Sequence, residues 1–273
     1  MSACVFPPET NAETTTSSVN RVSRQLAPVA VSPNPYRFIS QHQSSKPKVF
    51  CGPTSLAMAF SPYLDAPNHA ELLKAVEAFS SIVNTHAEKG TNVSQMLQGI
   101  ETLKATSALN GSWQAVRYQG IHHVSRSYYD GKWFKIPAWP QNTRALRKSI
   151  ARGDLVLGHL GWYQEEAKRQ TFKRKGGHYV LLIGIYMEEA HPDTWYLEML
   201  DPLEAQDSPT QGRYTLRLNP VEKSKHRFQV EDPQGQFTPR LAEGAWMQPY
   251  PPTGKKEEVL TFLEGLLILR QSR

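Results

Sequence analysis

An α+β fold, with helices first and an antiparallel sheet after them, is the class this sequence predicts, and three observations predict it. Between Cys51 and Lys104 the apolar residues recur at helical spacing. From Gly176 onward the chain runs Gly-Gly-His-Tyr-Val-Leu-Leu-Ile-Gly-Ile-Tyr186 and then Trp195-Tyr-Leu-Glu-Met-Leu200, branched and aromatic stretches that read as adjacent strands. Reactive residue types also mark both parts, since a thiol heads the first helix and an imidazole opens the first of these strands.

Residues 1–35 are dominated by Ser, Thr, Asn and Pro and end at Pro33-Asn-Pro35. Such a segment cannot bury enough apolar surface to offset its ordering entropy, so 1–35 is expected to be a disordered leader. The core is expected over 36–205. Its first helix begins at Cys51-Gly-Pro-Thr-Ser, because Pro53 is tolerated only in a first turn, and Leu56, Ala57, Met58 and Phe60 continue it as a buried face. A second helix covers about 70–83, with Asn68 as cap and Leu72, Leu73, Val76, Phe79 and Val83 on one side. A third covers about 94–104, turning Met96, Leu97, Ile100 and Leu103 inward.

Segment 113–139, rich in Trp and Tyr and broken by Gly and Pro, reads as a crossover carrying short strands, its aromatics mostly core. Asp154–Trp162 reads as a strand, with His159 either lining a cleft or packed. Residues 206–273 are expected to form an extension. The stretch 203–254 is poorly periodic, and Lys255–Leu269 is expected to be an amphipathic helix packing Val259, Phe262, Leu263, Leu266 and Leu267 on the core.

A thiol at a helix start sits at the positive end of the dipole, which favours thiolate, the nucleophilic form. Cys51 is therefore the candidate nucleophile. A nucleophilic cysteine needs a base, and His178 lies roughly 130 residues downstream, near the separation in papain-type enzymes. Asp201, in the Asp201-Pro202 that ends the next strand, can accept the other ring N–H and fix the tautomer. Glu198 competes for that role, but in one regular strand 198 and 201 face opposite sides. Cys4 and Cys51 are the only cysteines, and with Cys4 in the leader no structural disulfide is expected.

At these residues the chain resembles a papain-like cysteine peptidase of the bacterial group that includes the bacteriocin-processing, double-glycine-leader peptidases and their free-standing relatives. The resemblance rests on a glutamine ahead of Cys51-Gly-Pro, on Gly177-His-Tyr-Val180 and on Asp201-Pro202. Leu146–Leu157 resembles the helix, glycine and strand that precede the histidine strand in that group, and Gly90–Leu97 its short loop leading into a helix. The resemblance implies a papain-like fold, a helical lobe facing an antiparallel sheet lobe across a cleft. It also implies an oxyanion donor from the glutamine. Gln43 is preferred, because Lys46-Pro47 supplies the turn before Cys51, and Gln41 is the alternative.

The implied activity is hydrolysis of a peptide or isopeptide-type bond through a Cys–His–Asp set, with a peptide or protein substrate and neither cofactor nor metal. Two alternatives stay open, a papain-fold acyltransferase of transglutaminase or phytochelatin-synthase type and a non-catalytic peptide-binding relative. His122-His123 lacks companions at ligand spacing, so no zinc site is expected. The formal charge is +6 at pH 7, with Lys168, Arg169, Lys173, Arg174 and Lys175 just before His178. That cluster reads as a solvated loop or as a rim favouring an anionic surface, and no nucleic-acid-binding signature accompanies it. No apolar run is long enough to span a membrane, and no signal peptide is evident. The expected location is cytoplasmic, or exported without a cleaved signal, since the leader resembles type III effector leaders. Nothing in the sequence specifies an oligomeric state.

Overall fold

The computed structural model describes residues 26–105, 113–120, 126–129, 132–135, 143–166, 171–220, 227–231, 237–241, 246–249 and 259–271. Its elements are β1 (Leu26–Val31), α1 (Cys51–Phe60), α2 (His69–Ile82), α3 (Val93–Ala105), β2 (Trp113–Gly120), β3 (Arg126–Tyr129), β4 (Lys132–Lys135), α4 (Thr143–Arg152), β5 (Leu155–Glu166), β6 (Thr171–Glu188), β7 (His191–Leu200), β8 (Arg213–Pro220), β9 (Arg227–Glu231), β10 (Phe237–Leu241), β11 (Trp246–Pro249) and β12 (Val259–Gln271). The class is α+β, as expected.

Each helix starts or stops where its local chemistry allows. Asn68 Oδ1 accepts the Glu71 N–H at 3.0 Å and caps α2, which buries Leu72, Val76 and Phe79. Ahead of α3, Asn92 and Gln95 exchange side-chain-to-backbone bonds of 2.9 Å in each direction, a capping box that satisfies two orphan donors at once. Helix α4 ends at Gly153, whose φ is +81°. There Gly153 N donates to Ile150 O and Asp154 N to Ser149 O, the paired bonds of a Schellman stop. A side chain at Gly153 would adopt a left-handed backbone and press on Pro33 Cγ at 3.2 Å. Gly153→Ala is expected to cost about 1–3 kcal/mol, read as a lower Tm.

The pairing β5–β6–β7–β8–β11–β12 returns to β5 and so closes a six-strand circuit, antiparallel throughout. Strands β2, β3 and β4 continue from β12, β9 pairs β6 in parallel and carries β10, and β1 pairs β6. One core fills the space between α1–α3 and a sheet face built from Leu155, Leu157, Tyr179, Leu181, Leu267 and Leu269. A second holds Val156, Val180, Leu182, Leu197, Met199, Leu216 and Leu266, covered by Leu146 and Ile150 of α4.

Three expectations are corrected. The C-terminal segment is a strand, not an amphipathic helix: residues 261–269 are buried without a break, and both edges of β12 are paired, one to β5 and the other to β11 and β2. A run buried on every side has no polar face, so its apolar spacing fits either period. Residues 206–273 are consequently not an appended extension, because β8 and β12 belong to the closed circuit. The fold also begins before residue 36, since Leu26–Val31 pair with Gly184–Glu188 of β6. The rest of the leader, 1–25, lies outside the described residues. Segment 113–139 carries strands, as expected, and buries Trp113 and Tyr118. His122 and His123 lie outside the described residues.

Candidate active site

Helix α1 is buried along its whole length and packs on β5 and β6. No side chain caps it, and the N–H groups of a helix's first turn have no intrahelical acceptor, so Cys51 stands at the electropositive end of α1. Gly52 lets the loop before α3 close on this turn: a Cβ there would meet Met96 Cε at 2.7 Å and the Thr91 side chain at 3.3 Å. Ser55, one helical turn along, donates from Oγ to Tyr179 O at 2.9 Å, which ties α1 to the backbone beside His178.

His178 and Asp201 are both fully buried, and Asp201 Oδ1 accepts from His178 Nε2 at 2.6 Å. The register explains the meeting. Leu181 pairs with Leu200, so one step further Asp201 falls opposite Val180, diagonal to His178 and on its face. Asp201 is held in turn by the Leu203 N–H on Oδ1 at 2.8 Å and by its own N–H to Gly212 O. Nδ1 of His178 has no hydrogen-bond partner among the described residues, and the Trp162 indole stacks on the ring at 5.5 Å and 16°. Glu198 is engaged elsewhere, accepting from Tyr186 Oη at 2.7 Å and Arg213 at 2.9 Å.

The two glutamines lie in one short 3-10 turn, Gln41–Gln43, with opposite environments. Gln43 is exposed, and its Oε1 meets His69 Nε2 at 2.6 Å. Gln41 is fully buried, donates from Nε2 to Pro47 O at 2.6 Å and from its backbone to Pro202 O at 2.8 Å. His42 to Leu203 O and Ser40 N to Gln206 Oε1 fasten the same turn to the loop after Asp201. The preference for Gln43 is therefore revised: in a 3-10 turn, residues two apart point to different sides, and only Gln41 points inward.

Cys51 is disulfide-bonded, against the expectation of no disulfide. The sequence's other cysteine, Cys4, lies outside the described residues. Only the reduced thiol can act as a nucleophile.

His159 is packed, the second of its two expected settings. It is buried at 2 % exposure, stacks on Tyr179 at 4.7 Å, and its Nδ1 lies 3.4 Å from Glu264 Oε2. Arg174 of the basic cluster is likewise internal, bonding Glu264 through Nε at 2.7 Å and Nη2 at 2.9 Å, while Tyr163 also donates to Glu264. Burial pushes the Tyr179 phenol well above its ordinary range, with Arg174 opposing and Glu264 reinforcing the shift, so the ring stays neutral. The stack of Trp162 and the role of Glu264 are not legible from spacing, since both depend on strand pairing. Among the described residues no cluster of His, Cys, Asp and Glu could hold a metal ion, and no helix is long and apolar enough to cross a membrane.

Helix α1, headed by Cys51, thus packs on the strand of His178, and His178 bonds the aspartate that follows the next strand. The chain belongs to the Peptidase_C39 like family, whose model matches residues 34–229. It is thus a papain-like cysteine peptidase resembling the C39 group, as the sequence motifs suggested. Comparison with curated proteins gives no match.

Proposed function

We propose that this chain cleaves a peptide or isopeptide-type bond, with reduced Cys51 as nucleophile, His178 as base and Asp201 as its orienter. The observation that carries the reading is the buried His178–Asp201 bond through Nε2, which leaves Nδ1 uncommitted. Asp201 fixes the proton on Nε2, so Nδ1 is the basic nitrogen and takes the thiol proton. Cys51 then attacks the acyl carbon, and the charge on the carbonyl oxygen falls to the Cys51 N–H and to Gln41. The proton held by His178 passes to the leaving amine, and water entering by the same base releases the acid from the thioester. Gln41 replaces Gln43 as the donor because its amide is buried in the turn tied to Pro202.

Gln41→Ala is expected to lower kcat by on the order of 10²–10³ with KM little changed, as for loss of one oxyanion donor. Gln43→Ala should leave kcat near wild type; the reverse result would return the assignment to Gln43. The activity itself is tested by labelling reduced protein with an electrophilic probe and then mapping new termini in peptide mixtures. Free carboxylates mark hydrolysis, acylated amines mark the transferase, and a probe that labels Cys51 with no new termini in any mixture would favour the binding relative.

A further inference from the structure

Two β-bulges flank β5 where it pairs with the histidine strand. On β6, Trp162 faces Gly176 and Tyr163 faces Arg174, so Lys175 is the extra residue. On β12, Leu263 faces Leu160 and Gly265 faces His159, so Glu264 is the extra residue. A bulge reverses the alternation of sides. It therefore turns Arg174 onto the face of Gly177 and Tyr179, where it meets Glu264, while Lys175 is left exposed.

The pair occupies the room of two missing side chains. A Cβ on Gly161 would fall 2.1 Å from Glu264 Oε1, and one on Gly177 would fall 2.2 Å from Arg174 Nη2. Gly161 and Gly177 are themselves a cross-strand pair. Both neighbours of His178 are thus held on one face, Gly177 by the guanidinium and Tyr179 by the His159 stack, and Trp162 holds the His178 ring on the other. A buried ion pair adds little stability over an apolar replacement of equal volume, so what it contributes here is position. Glu264 also lies beyond the residues that match the family model.

The geometry points to Arg174 and Glu264 as positioning residues for His178, fixing the path of the backbone at Gly177–Tyr179 and with it the placement of the imidazole relative to Cys51. This rests on the reading of Cys51 and His178 given above. The test is the pH profile of iodoacetamide alkylation at Cys51 in the reduced full-length chain, followed by peptide mass spectrometry with Cys4 as internal control. In the wild type, alkylation of Cys51 should stay fast well below the ordinary thiol range of about 8.5. In Arg174→Met/Glu264→Leu, which removes both charges and keeps the volume, the rate near pH 6 should fall about 10- to 100-fold while a cooperative melting transition remains. If that variant does not fold, Glu264→Gln, of the same shape, is read in its place, with the same loss expected.

A folded variant with the wild-type profile overturns the positioning role alone. A wild type whose Cys51 titrates like Cys4, and is unmoved by His178→Gln, overturns the cysteine–histidine reading and this inference together.

Discussion

Cys51→Ala should abolish turnover, lowering kcat by at least about 10⁴, while Tm moves by no more than a few degrees. Cys51 is fully buried and alanine is smaller, so against the reduced wild type, whose disulfide is already open, the fold loses one sulfur's packing and the proposed reaction loses its nucleophile. His178→Ala should be equally inactive but less stable, because it leaves the buried Asp201 carboxylate with the Leu203 N–H and no imidazole. Removing one partner of a buried pair costs about 3–5 kcal/mol. His178→Gln, which can still donate to Asp201, is the cleaner probe of the base. Asp201→Asn keeps an acceptor oxygen beside Nε2 and should lose less activity than either. Steady-state kinetics beside thermal melts separate these cases. Wild-type activity in Asp201→Asn together with loss in Glu198→Gln would remove Asp201 from its role.

A chain ending at residue 254 should fail to fold. Strand β12 closes the six-strand circuit and presents nine consecutive buried residues, so its removal opens both cores and strips the hydrogen-bond partners of β5, β11 and β2. It also exposes long unpaired edges, which favour aggregation. The gentler form is Leu267→Ala, at 1 % exposure, which should cost about 2–5 kcal/mol by cavity formation, read from chemical denaturation. A soluble, cooperatively melting truncation would restore the view of this segment as an appendage.

Much of the helical half is legible in the sequence. Asn68, Asn92 and Gly153 act on the backbone within a few residues of themselves, so their effects are written in the local chain. The Cys51-Gly-Pro start and the apolar run after His178 are equally local, and the meeting of His178 with Asp201 follows once two adjacent antiparallel strands are inferred. The sheet half is harder. Hydrophobic spacing between 259 and 269 cannot separate a helix from a strand when every side is covered. The strand at 26–31, Leu-Ala-Pro-Val-Ala-Val, is a short apolar run interrupted by Pro28 at the end of a polar stretch, so it is pairing with the edge of β6 that makes it a strand.

By itself, then, the sequence determined the α+β class, the helix that carries Cys51, the strand that carries His178 and the acid at the end of the next strand, because each is set by propensities and spacings a few residues long. Only the tertiary structure decided that Gln41 rather than Gln43 points inward, that β12 is a central strand, and that Arg174 and Glu264 meet beside the histidine. Those outcomes turn on which side a backbone presents after a tight turn or a bulge, and that side is chosen by partners distant in sequence.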